Sequence, residues 1–289
     1  MLTVVMPSFH SSEIIKERIE EIDKKIPIII IENSKNIILK EKLEKQYNNI
    51  NVIIPKENLG WGKAVNIGIK QSVTPFVFIT QPDVKLIDDC LSKLITCIRE
   101  FKNFTILTPK DLNNKIYNNF EIYNKHDPIN SKNEFSLKEV DYVDLTWLIN
   151  KSNFDDSDLW DEKMFLYFEA QDFAKRLKKK KKKIYVADKI NTFHIGSSSH
   201  DKKLEYFSNL NRNWHFNWSR HYYYKKHYGF MFAYRKSTSI LIKLIMKILK
   251  NLIFFNTKQL KLTFVEIFGL LSSMINLPSF YRPYKKIKF

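Results

Sequence analysis

The first third of the chain repeats one pattern, in which a short apolar run ends in polar residues and a helical pattern follows. The apolar runs are residues 2–6, 26–31, 51–54 and 76–79. Their β-branched and aromatic content predicts buried strands, and strands that alternate with helices at this spacing predict a mostly parallel, doubly wound α/β sheet. Because parallel strands share one carboxyl edge, we expect the polar residues that end them to meet there.

The last of these runs is followed by Gln81, Pro82 and Asp83. Pro82 cannot donate a ladder hydrogen bond, so the strand ends and Asp83 is held at the sheet edge. A single carboxylate at that edge can hold a divalent cation against a diphosphate. An Asp after a strand is also common as a turn or helix cap, and the residues alone leave both interpretations open.

The rest of the first 200 residues continues the alternation less regularly. Residues 57–68 form a glycine-punctuated loop that runs into a helix, residues 87–101 have helical periodicity, and further strands are expected at 105–108, 142–149 and 184–187. Residues 110–138 are rich in Asn, Lys and Asp, and we expect an irregular insertion there. A polar loop carrying His194 is expected after the last strand.

The charge and the cysteine count limit the kind of partner and compartment. The formal net charge is +17, from 48 Lys and Arg against 31 Asp and Glu, which predicts an anionic partner: nucleic acid, an acidic membrane face or a phosphorylated substrate. Cys90 and Cys97 offer no disulfide framework and no zinc spacing, so a reducing compartment is expected. The first seven residues do not resemble a signal peptide, and we expect the chain on the cytoplasmic side of any membrane.

The carboxyl-terminal third becomes aromatic and basic. We expect residues 201–236 to form a helical segment that packs on the core, and residues 237–289 to form an amphipathic helical tail that associates with an anionic membrane surface. Lys243, Lys247 and Lys250 share one helical face, and basic residues continue at Lys285, Lys286 and Lys288. The alternative is packing on the core formed by the first 200 residues or on a second subunit, as in a homodimer.

Two further basic or aromatic features allow more than one interpretation. Residues 178–183 are six lysines, which favour a solvated helix end, or attraction to anionic lipid. Trp214, Trp218 and the tyrosines 222–224 could stack on the rings of a ligand, lie at the headgroup level of a membrane, or form the core between domain and tail.

Six motifs occur in an order that is similar to one enzyme family. They are residues 6–9, residues 32–34, residues 58–62 with Ala64 and 66–68, residues 81–84, residues 165–176, and His194 with Gly196 and Ser198. Over about residues 2–229 the chain resembles family 2 glycosyltransferases, especially their rhamnosyltransferase-like branch. The resemblance implies a GT-A nucleotide-diphospho-sugar transferase fold, with residues 1–200 as the catalytic domain.

The resemblance also implies an activity and its site residues. The activity is inverting transfer of a sugar from a nucleotide-diphospho-sugar, dTDP-rhamnose-like or UDP-linked, to a hydroxyl of a lipid-linked or cell-surface glycan acceptor. The ligand on which Trp214, Trp218 and the tyrosines 222–224 could stack would then be the sugar rings of this acceptor. Asp83 and His194 match positions that reach a metal, Mg²⁺ or Mn²⁺. The matching donor-binding positions are Pro7, Ser8, Glu32, Asn33, Asn58, Gly60, Trp61, Asn66, Gln81 and Arg176.

The chain departs from the family pattern at two acidic positions. Gln81 replaces the first Asp of the Asp-X-Asp metal motif, and Ala170 stands at the usual base position. Inverting transfer needs a base for the acceptor hydroxyl, and we expect Glu169 in that role with Asp172 as second choice. The alternatives are structural roles, in which Glu169 caps a helix and Asp172 pairs with Arg176 at i,i+4.

Two other functions compete with this prediction. The departures at Gln81 and Ala170 are compatible with a catalytically inactive relative that binds nucleotide sugars. The net charge is compatible with a nucleic-acid-binding protein, but the basic residues concentrate in the lysine run and the tail rather than in a nucleic-acid module. We therefore expect no nucleic-acid partner and a peripheral location on the inner face of the cytoplasmic membrane.

Overall fold

The structure is a computed structural model, and it describes residues 1–113, 119–123, 135–196 and 205–283. The chain divides into two compact units. The first comprises Met1–Trp160 and Ala170–Asp201, and the second comprises Asp161–Glu169 and Lys202–Phe289. Ser197–Ser199, the boundary expected at residue 200 and the lysines at 285, 286 and 288 lie outside the described residues.

The first unit alternates strands and helices as the sequence predicts. Its strands are β1 Leu2–Ser8, β2 Ile28–Glu32, β3 Ile50–Ile53, β4 Phe76–Ile79, β5 Val84–Leu86, β6 Ile106–Asp111, β7 Phe120–Glu121, β8 Leu137–Glu139, β9 Tyr142–Val143, β10 Trp147–Asn150 and β11 Ile184–His194. Its helices are α1 Ser12–Glu20, α2 Ile37–Gln46, α3 Trp61–Gln71, α4 Cys90–Glu100 and α5 Glu169–Lys179, of which the first residue belongs to the second unit.

Nine of the described strands form one mixed sheet. The order is β3-β2-β1-β4-β10-β6-β11-β5, and β8 pairs with β11. Strands β1, β2, β3 and β4 pair in parallel, β6 and β11 pair in parallel, and β10 runs antiparallel to both β4 and β6. Six strands therefore run in one direction, and their carboxyl ends share one edge. The predicted α/β fold with a mostly parallel sheet is confirmed.

Successive side chains of each strand point to opposite faces of the sheet, and both faces are apolar. Val4 and Ile30 face a core with α1, α2 and α4, whereas Val5 and Ile31 face a core with α3 and α5. Helix α3 approaches β1 closely at Gly68, because a Cβ there would lie 2.3 Å from Cγ1 of Val5. The sheet is thus covered on both sides, as the continuous apolar strands require.

The structure differs from the predicted elements in three places. The single strand expected at 142–149 is two strands, β9 and β10, because Leu145 has a φ of +68° that interrupts extended backbone. The strand expected at 184–187 continues as β11 to His194, so this histidine ends a strand rather than lying in a loop. Residues 110–138 contribute β7 and two strand ends, while 114–118 and 124–134 lie outside the described residues.

Four of the six lysines in residues 178–183 are exposed, as expected for a solvated helix end, but the run also forms ion pairs. Lys178 pairs with Asp141, Lys182 with Asp155 and Asp158, and Lys180 Nζ lies 2.5 Å from Oδ1 of Asp158. Lys183 pairs with Glu139 at 2.9 Å. Four of these lysines therefore meet carboxylates of their own unit, which reduces the charge available for lipid.

The second unit consists of three long helices and the segment Asp161–Glu169. The helices are α6 Glu205–Tyr228, α7 Phe230–Ile253 and α8 Thr257–Met274. Trp214 and Trp218 are buried, and Trp214 contacts Phe268, Phe280 and Tyr281. These two tryptophans are therefore core residues of the helical unit, which corrects the interpretations that place them against acceptor sugars or lipid headgroups.

Two features of α8 define how it sits in its unit. A Cβ on Gly269 would lie 2.2 Å from the carbonyl oxygen of Trp214, so only glycine permits the close approach of α8 to α6. Lys247 and Glu266 form an ion pair at 3.0 Å between α7 and α8. Within the described ranges, none of the helices is long and apolar enough to cross a bilayer.

Candidate active site

The carboxyl ends of β1 and β2 bring four predicted donor-binding residues together. Pro7 and Ser8 pair in register with Ile31 and Glu32. The Ser8 hydroxyl donates a hydrogen bond to the buried Glu32 carboxylate, which also accepts from the backbone N–H of Ser34 at 2.8 Å. Asn33 donates its N–H to the carbonyl of Ser8 at 2.9 Å. The predicted meeting of polar residues at the sheet edge is present here.

The loop before α3 is attached to the same edge. The side-chain oxygen of Asn33 accepts from the N–H of Leu59 at 3.1 Å, and that of Asn58 accepts from Gly60 at 2.9 Å. Gly60 precedes the helix with a φ of +78°, a conformation that glycine adopts without strain. Asn33 and Asn58 therefore use their side chains to shape the loop, and their donor contacts stay predictions.

Asn66 and Trp61 belong to a buried aromatic cluster behind this loop. The Asn66 amide donates to the carbonyl of Trp160 at 2.9 Å and accepts from the Trp160 N–H at 3.0 Å. Trp160 stacks on Phe173 with ring centroids 3.8 Å apart, and the ring of Trp61 lies 4.7 Å from that of Trp147. Asn66 thus fixes the chain at Trp160, immediately before the segment that carries Glu169.

Asp83 and His194 meet at the same sheet edge. One carboxylate oxygen of buried Asp83 lies 3.3 Å from Nε2 of His194, and Ile195 donates its N–H to the Asp83 carbonyl at 2.9 Å. The other carboxylate oxygen, Oδ1, is buried without a hydrogen-bond partner among the described residues. The hydrogen bond with Asp83 raises the pKa of His194, and the charge of Asp111 acts in the same direction against the opposing effect of burial.

Two further aspartates surround His194. Asp111, the last residue of β6, accepts the N–H of His194 at 2.8 Å. Asp144 accepts from the Tyr142 hydroxyl at 2.8 Å, its burial raises its pKa, and it interacts electrostatically with His194. Sequence reasoning missed both residues. Asp111 ends β6, whereas the predicted strand ends at residue 108, so the strand-end signal that indicates Asp83 did not extend to Asp111.

The side chain of Gln81 makes a hydrogen bond in the structure. Its side-chain amide donates to the carbonyl of Leu145 at 3.2 Å, next to the turn that leads into β10. A carboxylate at this position could not donate that hydrogen bond. Gln81 thus lacks the carboxylate that the Asp-X-Asp pattern implies at this position, and it makes a contact that holds the turn.

The residues present fit a divalent cation whose coordination shell is completed by the phosphate oxygens of a bound ligand. Among the described residues there is no group of three or more His, Cys, Asp and Glu side chains that could hold a metal ion unaided. Asp83 and His194 would supply two ligands, and the unpartnered Oδ1 of Asp83 is a buried oxygen that a cation would satisfy. Carboxylate oxygen suits Mn²⁺ and Mg²⁺, and Mg²⁺ commonly binds through one or two carboxylates plus phosphate oxygens.

Asp172 and Arg176 form a buried ion pair on α5. Nε of Arg176 donates to Oδ2 of Asp172 at 2.7 Å, with the Asp172 side chain fully buried. The guanidinium also donates to the carbonyl of Leu159 at 2.8 Å and to those of Ser157 and Asp158. The i,i+4 pairing of Asp172 with Arg176, the structural alternative to a catalytic role, is therefore present. Arg176 also connects α5 to the chain before Trp160.

Glu169 follows an unusual turn. Tyr167 and Phe168 both have positive φ, +69° and +63°, which bulky side chains avoid. Within the second unit, Ser219 donates to the carbonyl of Leu166 at 2.8 Å, and the ring of Phe168 lies 5.5 Å from Phe216. Such conformations persist where neighbouring contacts enforce them, and they concentrate at functional sites. Helix α6 therefore holds the turn that ends at Glu169.

Most of the chain matches the model of one known protein family. The model of the family described as glycosyl transferase family 2 matches residues 3–205, more than half of the chain. The chain belongs to this family. The matched residues include both ends of the candidate site, from β1 to His194. The predicted family is thereby confirmed.

The family 2 chain has distant relatives among known proteins. It is 21% identical over 211 residues to the low-salt glycan biosynthesis hexosyltransferase Agl10 of Haloferax volcanii, a match that covers 67% of this chain and 66% of the relative. Among solved structures it is similar to the mannosyltransferase PcManGT from Pyrobaculum calidifontis in complex with GDP-Man and Mn²⁺. That likeness has a TM-score of 0.54 and 9% identity, over 94% of this chain and 86% of the other.

A second solved structure has a similar fold over part of the chain. GalNAc-T7, solved with UDP, GalNAc and Mn²⁺, has a TM-score of 0.55 and 14% identity, over 67% of this chain and 43% of its own. At these identities the likeness concerns the fold. Together with the sheet order, it confirms the GT-A fold of the family 2 chain.

Proposed function

We propose that the chain is a glycosyltransferase that moves a sugar from a nucleotide-diphospho-sugar to a hydroxyl of a glycan acceptor, with inversion at the anomeric carbon. The observation that carries the proposal is the placement of Asp83 and His194 at the same sheet edge as Ser8 and Glu32. A carboxylate with a spare oxygen beside an imidazole suits a metal–diphosphate, and the neighbouring strand ends suit a nucleoside.

The chain's own residues have separate tasks in this reaction. Asp83 and His194 hold the divalent cation, Mg²⁺ or Mn²⁺, which when bound offsets the charge on the departing diphosphate. The loop from Asn58 to Trp61 closes over the nucleotide, and Glu169 takes the proton of the acceptor hydroxyl. Glu169 is preferred over Asp172 because the Asp172 carboxylate is engaged by Arg176.

The finer assignments belong to the same proposal. Relatives and neighbours act on or bind several donors: the Haloferax volcanii protein is a hexosyltransferase, PcManGT binds GDP-Man, and a TarS structure from S. aureus holds UDP. For this chain we propose a dTDP-rhamnose-like or UDP-linked donor and a lipid-linked or cell-surface glycan acceptor, following its rhamnosyltransferase-like motifs.

A thermal-shift screen of nucleotide-diphospho-sugars with and without Mn²⁺ tests donor use. A donor at a hundred times its dissociation constant should add about 2.7 kcal/mol of stability. Transfer to glycan acceptors is then measured with the stabilising donor. Lack of binding by every nucleotide sugar, with or without Mn²⁺, would contradict the proposal.

An inactive nucleotide-sugar-binding protein is the second candidate. The Gln81 side chain holds Leu145 and Ala170 is buried, so two family carboxylates have been replaced by residues with structural contacts. Metal-dependent donor binding without donor hydrolysis or transfer, under conditions where the fold is intact, would favour this candidate.

A further inference from the structure

The outer part of the α7–α8 hairpin carries a large apolar surface. From residue 238 to residue 258 no residue is buried. Phe254 and Phe255, between the two helices, are 70% and 88% exposed. Side chains of this size are normally buried or paired with another surface, and contiguous exposed apolar patches mark interaction sites.

After residue 240, the exposed apolar residues of α7 recur at helical spacing. Because each residue of an α-helix turns by 100°, six of these exposed side chains lie within one arc of about 120° around the helix. This exposed stripe consists of Ile242, Ile245, Met246, Leu249, Leu252 and Ile253. A second row of exposed apolar residues with helical spacing consists of Phe264, Phe268 and Leu271 of α8 and of Ile275, which directly follows it.

Basic residues flank this apolar surface. Lys243, Lys247 and Lys250 lie along one border of the exposed stripe, at positions one and four residues from its members. The sequence from residue 230 to residue 274 contains one acidic residue, Glu266, and its side chain pairs with Lys247. The basic side chains of that range are Arg235, Lys236, Lys243, Lys247, Lys250, Lys258 and Lys261.

We infer that the α7–α8 hairpin lies in the interface of an anionic lipid bilayer, with the exposed stripe and Phe254–Phe255 inserted among the acyl chains. An apolar arc bordered by lysines matches the boundary between acyl chains and anionic headgroups. Charge argues against a second copy of this chain as the occupant. A two-fold interface would set the same basic residues of both copies near each other with few acidic partners.

The inference differs from attraction through the lysine run. Four lysines of residues 178–183 pair with carboxylates of their own unit. Lys243 and Lys250 are exposed beside an apolar surface, which gives the hairpin both contributions to interfacial binding.

Co-sedimentation of the full chain with vesicles tests the hairpin. Binding is expected to vesicles of phosphatidylglycerol and phosphatidylcholine, to weaken with added salt, and to be much lower with phosphatidylcholine alone. The double variant Phe254→Ser with Phe255→Ser should lower the partition coefficient on the order of tenfold or more. A matched control, Ile38→Ser with Val73→Ser, changes two side chains of the first unit that are also highly exposed, and should bind like the wild type.

The basic border is tested separately. Lys243→Glu with Lys250→Glu should reduce binding on the order of tenfold or more, whereas Lys24→Glu with Lys45→Glu, exposed lysines of the first unit, should reduce it far less. Because the changed side chains are exposed, the thermal midpoint of each variant should stay near that of the wild type.

Site-specific labelling reports insertion directly. Cys90 and Cys97 are buried, so an environment-sensitive fluorophore should react preferentially with a cysteine introduced by Phe255→Cys. Its emission should shift to the blue with anionic vesicles, while a label introduced by Val73→Cys should not respond. The inference is overturned if neither labelled variant responds, or if the wild type is a dimer that Phe254→Ser with Phe255→Ser converts to a monomer while vesicles are not bound.

Discussion

Asp83 and His194, 111 positions apart in the sequence, bring a carboxylate oxygen and Nε2 to 3.3 Å from each other at the carboxyl edge of the sheet. The second carboxylate oxygen of Asp83 has no hydrogen-bond partner in the part of the chain that the structure describes. Asp83→Asn should therefore abolish the stabilisation of the chain by a diphosphate with Mn²⁺, because the amide is a neutral and weaker ligand. Thermal shifts with UDP or GDP, with and without Mn²⁺, measure it.

The control for this prediction is Asp88→Asn, which removes an exposed carboxylate a few positions away. It should respond to Mn²⁺ and diphosphate as the wild type does. Unaltered Mn²⁺-dependent stabilisation in Asp83→Asn would place the metal elsewhere.

Glu169 is expected to be the catalytic base. Glu169→Gln keeps the shape of the side chain but cannot accept the acceptor proton, so turnover should fall by at least about a hundredfold with donor binding retained. Glu162→Gln alters an exposed glutamate of the same segment and should leave turnover near that of the wild type. Full activity of Glu169→Gln would remove Glu169 from this role. Single-turnover transfer and donor titration separate the two effects.

The parallel part of the sheet and its polar edge could be predicted because both signals are local. An apolar run predicts a buried strand, its polar end places a side chain at the edge, and right-handed crossovers bring successive ends together. Ser8 and Glu32 meet as this reasoning expects.

Other features depend on interactions that single residues do not reveal. The turn at Leu145 divides an apolar stretch that has the pattern of one strand. The spacing of Asp172 and Arg176 predicts their pairing, but not that backbone carbonyls of residues 157–159 also receive the guanidinium. Positive φ at Tyr167 and Phe168 contradicts their own preferences, and it follows from contacts with α6, more than 45 residues later.

The buried pair of Asp172 and Arg176 should contribute to stability. Asp172→Asn leaves the guanidinium without its carboxylate, and the free energy of unfolding should fall by about 3 kcal/mol. Glu44→Gln is the matched control, since it changes the i,i+4 pair with Lys40, whose side chains are 32% and 37% exposed, and should cost less than about 1 kcal/mol. Denaturant unfolding measures both. A large loss of turnover in Asp172→Asn at unchanged stability would instead make Asp172 the base.

The hydrogen bond from Ser219 to the carbonyl of Leu166 should position the turn before Glu169. Ser219→Ala should cost about 1 kcal/mol of stability and lower kcat on the order of tenfold, with KM for the donor little changed. Ser237→Ala removes another buried serine hydrogen bond of the same unit, to His221 at 2.7 Å, and should cost similar stability without the effect on kcat. Equal kcat in the two variants would limit Ser219 to a structural role.

His215 should make the stability of the chain depend on pH. Burial, reinforced by the charge of Arg282, lowers the pKa of His215 to about 3, from about 6.5 in an unfolded chain. Between these values the unfolded state binds the proton and the folded state does not, so the free energy of unfolding falls as the pH decreases below about 6.5. The contribution of His215 should be a loss of about 2 kcal/mol at pH 5 relative to pH 7.

His215→Phe isolates this contribution from the other titrating groups of the chain. Phenylalanine keeps an aromatic ring against Phe165, whose centroid lies 4.5 Å from that of His215, but it cannot bind a proton. The variant loses the hydrogen bond to the carbonyl of Tyr281, so its stability at pH 7 should be lower, while its decline from pH 7 to pH 5 should be smaller by about 2 kcal/mol. Denaturant unfolding at the two pH values measures the difference. An identical decline in both proteins would mean that His215 takes up its proton in the folded state, with Nδ1 reaching water despite its burial.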